Sequence, residues 1–83
     1  MFKELFLESE EVTWFSAPEN VMDKISNKLD KWNMENDFPF QDYYTHKVGN
    51  KREFVIENMK KFKKYEKELT KIIKPFVPDL NKI

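Results

Sequence analysis

The chain has no cysteine, one glycine (Gly49), one alanine (Ala17), one histidine (His46) and one arginine (Arg52). Each shortage excludes some chemistry. Without cysteine there is no thiol nucleophile, no thiolate metal site and no disulfide, and a reducing compartment suits such a chain. A lone histidine builds no histidine-rich metal centre, and a lone glycine builds no glycine-rich phosphate cradle. No serine lies in a recognisable nucleophile motif. No run approaches the ~20 apolar residues of a membrane span, and the opening Met1-Phe2-Lys3-Glu4 is unlike a signal peptide. The expectation is a cytoplasmic, non-catalytic protein that uses no cofactor, no metal and no membrane.

What is present is aromatic and charged. Eight Phe, three Tyr and two Trp stand in 83 residues. A domain this small buries only somewhat over ~60% of its unfolded surface. Each aromatic buries ~150–250 Å², so a few of them fill a core that aliphatic residues cannot. The net charge is zero, but it is unevenly placed: residues 1–42 hold ten acids against four lysines, net −6, and residues 43–83 hold eleven bases against five acids, net +6. Either the halves attract each other within one fold, or one pole faces a partner of opposite sign. Lys, Asn, Ile, Phe and Tyr all have AT-rich codons, so lysine abundance alone argues little about binding.

Hydrophobic spacing outlines a single α+β domain over residues 1–83, in the order α-β-α-β-β-α, with two main helices packed on a short antiparallel hairpin. Phe2, Leu5 and Phe6 open with a short helix, and residues 11–15 form a strand. Ser16-Ala17-Pro18-Glu19 has the form of a capping box, so the second helix should start there and run to about Trp32, burying Met22, Ile25, Leu29 and Trp32. In Phe38-Pro39-Phe40 the proline should keep Phe38 extended, with both phenylalanines plugging the loop onto the core. Gly49-Asn50 between two β-prone runs predicts a hairpin pairing Val48 with Lys51, His46 with Glu53, and Tyr44 with Val55. The last helix should begin near Glu57 and stop before Pro75. Its spacing puts Val55, Met59, Phe62, Tyr65, Leu69, Ile72, Ile73 and Phe76 on one side, and Lys60, Lys63, Lys64, Lys67, Lys71 and Lys74 on the other. The tail should be extended, pinned by Phe76, Val77 or Leu80.

Three constellations carry possible chemistry. The lysine face of the last helix can run along a phosphate backbone by counterion release. Arg52 could join it, and Tyr43 or Tyr44 could stack on bases. With no Arg, Asn or Gln on that face, such binding would be blind to sequence and strongly salt-sensitive. Glu8, Glu10 and Glu11 form an acidic patch without the loop spacing of a calcium site, so a solvated edge is expected. His46 facing Glu53 beside Tyr44 has the outline of a base with its orienting carboxylate, yet cross-strand pairs of this kind are ordinary surface features.

The glutamate-rich opening FKELFLESE, with the small size and AT-biased composition, resembles the small accessory proteins of large tailed bacteriophages. The resemblance implies a host-interaction role: binding and inhibiting, or redirecting, a bacterial enzyme or defence component. A protein-binding inhibitor or modulator is therefore the first functional expectation, and sequence-nonspecific RNA or DNA binding is the alternative. The chain is expected to be a monomer or a homodimer. Val55, Phe62, Leu69 and Phe76 recur every seven residues, and a dimer would use that seam.

Overall fold

The computed structural model describes residues 11–80. The elements run β1 (Val12–Pro18), α1 (Glu19–Glu35), β2 (Tyr43–Val48), β3 (Lys51–Ile56) and α2 (Met59–Ile73). They form a small α+β domain: one antiparallel sheet in the order β1-β3-β2, with the helices packed on one of its faces. The short helix expected at Phe2–Phe6 lies outside the described residues.

The hairpin has the predicted register, with Val48 opposite Lys51, His46 opposite Glu53 and Tyr44 opposite Val55. Gly49 sits at φ +63°, a left-handed conformation that costs glycine little. Alternation then sends Phe54 and Ile56 toward the helices and Glu53 and Val55 to the opposite face. β1 pairs with the other side of β3, but the register slips between Thr13 and Phe15. This bulge at Trp14 breaks the alternation, and Trp14 and Phe15 both enter the core. Trp14 meets Phe62 edge-to-face at 4.7 Å, while Phe15 stacks on Phe54 at 5.1 Å.

The capping box does not form. Ser16 and Ala17 continue β1 opposite Glu53 and Arg52, and Pro18 is the residue that precedes α1, with no side-chain cap. The cause is Pro18 itself: it disfavours helical backbone at Ala17 and holds it extended. β1 is an edge strand, where the missing proline N–H is tolerated. α1 also runs past Trp32 to Glu35.

The end of α1 departs from expectation most sharply. Asp37 and Phe38 have φ of 69° and 57°, so Phe38 is left-handed rather than extended. The Phe38 N–H donates to the Asn33 carbonyl at 2.6 Å, which is the long closing bond of a Schellman motif with Asp37 at the position glycine usually takes. Asn33 is buried, and its Oδ1 accepts the Phe40 N–H at 3.2 Å. Only Phe40 plugs the core; Phe38 is 52% exposed.

α2 starts two residues later than expected because the Asn58 side chain caps it, accepting the Lys61 N–H at 3.1 Å. It ends at Ile73, before Pro75. The tail is pinned by Phe76, Val77 and Leu80 as expected, but it coils instead of extending: the Phe76 and Val77 N–H groups both donate to the Ile73 carbonyl. Trp32 touches Tyr65 edge-to-face at 5.9 Å, while Lys24 and Phe76 border one hollow, so the helices run antiparallel. Phe62 and Leu69 are fully buried and Val55 is a buried residue of β3, so three of the four residues of the heptad seam are buried within the domain.

Candidate partner-binding surface

Lys60, Lys63, Lys64, Lys67, Lys71 and Lys74 are all exposed on the side of α2 away from its buried residues Phe62, Leu69 and Ile73. The spacing that makes α2 amphipathic therefore produces the lysine face directly. Lys63 reaches Glu66 at 3.7 Å, and the Lys64 ammonium sits 5.9 Å from the Tyr65 ring centre. Lys61 points elsewhere and pairs with Asp42 at 3.3 Å.

The other members of the expected nucleic-acid constellation are not on this face. The Arg52 Nε donates to Thr45 Oγ1 at 3.2 Å, one terminal nitrogen donates to the Thr45 carbonyl, and the other lies 4.0 Å from Glu19. Its guanidinium is thereby committed to the hairpin and to the start of α1. Tyr43 stacks on Phe40 and on Phe54, at 5.7 and 4.8 Å between ring centres. Burial, with the charge of Asp30 adding to it, raises its phenol above the ordinary value. It is a core ring, not a free stacking platform. Tyr44 is on the sheet face turned away from the helices, and its hydroxyl donates to Glu11 at 2.8 Å. Accepting that bond, the Glu11 carboxylate raises the Tyr44 phenol. Strand alternation is what separates Tyr44 from the lysines by the thickness of the domain.

His46 and Glu53 do meet, Nε2 to Oε1 at 3.0 Å, with Tyr44 edge-on to the imidazole at 5.8 Å. The pair is exposed on the outer sheet face, open to solvent rather than enclosed in a cleft. Among the described residues no cluster of His, Asp or Glu could hold a metal ion. Of the acidic patch, Glu11 is exposed and bonded to Tyr44, while Glu8 and Glu10 lie outside the described residues.

A second basic element lies on α1, outside the constellations read from the sequence. Lys24, Lys28 and Lys31 recur along α1 at helical spacing and line two adjoining hollows of about 410 and 480 Å³. Phe76 borders both; Trp32, Ile72 and Pro75 line the second, with Lys71 and Glu35 at its edge. The acids Asp23 and Asp30 fall on the other flank of α1, while Glu35 stands at the end of the lysine strip. The sequence signal was the i, i+4, i+7 lysine spacing beside Trp32.

Comparison with family models, curated proteins and solved structures finds no match. The functional reading therefore rests on this surface. Lys24, Lys28, Lys31 and Lys71 form no ion pair with a described carboxylate. Together they frame a half-buried apolar floor of Trp32, Ile72 and Phe76. No described helix is long and apolar enough to cross a membrane.

Proposed function

We propose that the chain is a non-catalytic protein-binding module that inhibits or modulates its partner by occlusion. The observation that supports this reading is the hollow between α1 and the end of α2, where lysines paired with no described carboxylate surround apolar side chains. Apolar floor with polar rim is the anatomy of a protein contact, in which burial supplies affinity and charge supplies orientation. A phosphate backbone needs cations but gains little from Ile72 and Phe76. The resemblance of FKELFLESE to phage accessory proteins makes a bacterial protein the partner of choice.

The test is affinity capture from bacterial lysate with the intact chain, with and without nuclease. A protein recovered saturably and independently of nuclease supports the reading. Repeated recovery of no protein, or recovery that nuclease abolishes, refutes it in favour of the nucleic-acid alternative. That alternative in turn requires a gel shift that weakens steeply between ~50 and ~200 mM salt.

A further inference from the structure

We infer that the hollow between α1 and the end of α2 takes an acidic amphipathic helix, an inference that rests on the protein-binding reading above. The length fits. The rim runs along α1 from Lys24 to Lys31, about 10 Å at ~1.5 Å per residue, and Trp32 extends the floor beyond it. That is two turns or more of a docked helix. Two antiparallel helices leave a groove between them, and a third helix lying there buries apolar anchors at i, i+4 and i+7. Trp32, Ile72 and Phe76 are half-buried side chains already seated on the core, so they offer such anchors a rigid floor.

Charge decides the chemistry of the occupant. Lys24, Lys28 and Lys31 stand on one bank and Lys71 on the other, none paired with a described carboxylate. A helix with Glu or Asp flanking its apolar anchors would meet both banks at once. Glu35 closes the far end and repels a continuous phosphate track, while leaving room for a helix that ends or turns basic there. The floor continues from Trp32 to the aliphatic Ile72, which an apolar side chain packs against and which gives a base nothing to stack on. These features favour a carboxylate-bearing peptide over a nucleic acid.

The experiment titrates the full chain with a fluorescein-labelled synthetic helix carrying Leu and Phe at i, i+4 and i+7 and Glu elsewhere, read by anisotropy. Two further peptides replace the anchors with Ser or the Glu residues with Lys, and a single-stranded oligonucleotide serves as a polyanion. Saturable binding is expected, weakened about tenfold or more by loss of the anchors and by Lys28→Glu/Lys31→Glu. The lysine peptide should bind that double variant better than it binds the parent chain. Lys60→Glu/Lys67→Glu, on the outer side of α2, should leave peptide binding unchanged. The inference is overturned if the anchors make no difference, if Lys28→Glu/Lys31→Glu binds normally, if the oligonucleotide outcompetes the peptide, or if the face proves to join two copies of this chain. A captured protein partner that binds Lys28→Glu/Lys31→Glu undiminished would remove the groove and leave the binding-module reading standing.

Discussion

Replacing Asn33 with Ala tests how the end of α1 is closed. Asn33 is 3% exposed. Its main-chain carbonyl accepts the Asn36 and Phe38 N–H groups, and its side chain accepts that of Phe40. Ala keeps the carbonyl and removes the side-chain acceptor, which leaves a buried N–H without a partner at a cost of ~1–3 kcal/mol. Ala is also the better helix former by up to ~0.7 kcal/mol, which offsets part of that loss. The net expectation is a destabilisation of ~0.3–3 kcal/mol. If the loop lets go altogether, the fully buried Phe40 is exposed and a further ~1.5–3 kcal/mol is at risk. Against a total of roughly 4–12 kcal/mol, at ~0.05–0.15 per residue, either loss is easily measured. Urea unfolding followed by tryptophan fluorescence should show a lower midpoint with an unchanged slope. Hydrogen exchange should show the Phe40 amide opening sooner than those of β3. An unchanged or raised midpoint would refute the reasoning, because helix propensity would then outweigh the side-chain bond.

Three other perturbations probe different parts of the fold. Leu69→Ala, at a fully buried position of α2, should cost ~2–5 kcal/mol; a thermal melt matching the parent would mean that the buried side of α2 is misassigned. Asp37→Gly places glycine at the left-handed position that Asp37 holds at φ 69° and should raise stability by ~0.5–2 kcal/mol, seen as a higher Tm. Tyr43 has its phenol raised by burial, so the unfolded chain ionises first on alkaline titration. The native state is therefore unaffected below the ordinary phenol value and loses stability as pH rises above it. Tyr43→Phe should flatten that alkaline decline without changing stability at neutral pH by a comparable amount, and identical alkaline unfolding curves would argue against a buried phenol.

The parts of the fold legible in sequence are those set by a local rule with no competitor. Gly49-Asn50 between alternating runs set the hairpin register, and the periodicity of α2 set both its buried side and its lysine face. The errors came where two local rules met. At Ser16–Glu19 a capping pattern competed with the extended backbone that Pro18 imposes on Ala17, and strand pairing to β3 favoured the second. At Phe38 the same proline rule lost, because the Asn33 carbonyl captures the Phe38 N–H and closes the helix with left-handed residues. At Trp14 the bulge leaves no alternation from which its side of the sheet could be read. In the candidate surface, the α2 lysines were found and those of α1 were missed. Arg52, Tyr43 and Tyr44 were grouped with the lysines by type, whereas the pleat assigned them to other surroundings.

The charge asymmetry along the chain and the charge asymmetry in space are different quantities. Glu19 lies 4.0 Å from both Lys47 and Arg52, and Asp42 lies 3.3 Å from Lys61. Each of these contacts joins the acidic half of the chain to the basic half, so folding brings opposite charges from the two halves together. Being exposed, such pairs contribute little stability, ~0–1 kcal/mol each, but they sort the cations. Lys47, Arg52 and Lys61 are matched by acids. Three of the four lysines from the acidic half, Lys24, Lys28 and Lys31, are left unmatched among the described residues and stand across from Lys71 of the basic half. Counting by halves therefore located a basic pole on α2 alone. Counting by helix flank, after the ion pairs are removed, adds to that lysine face a second basic strip along α1, over the groove that both helices share. That groove also exposes Trp32, Ile72 and Phe76, and a site that combines unpaired charge with apolar surface is suited to a partner that supplies both complements together.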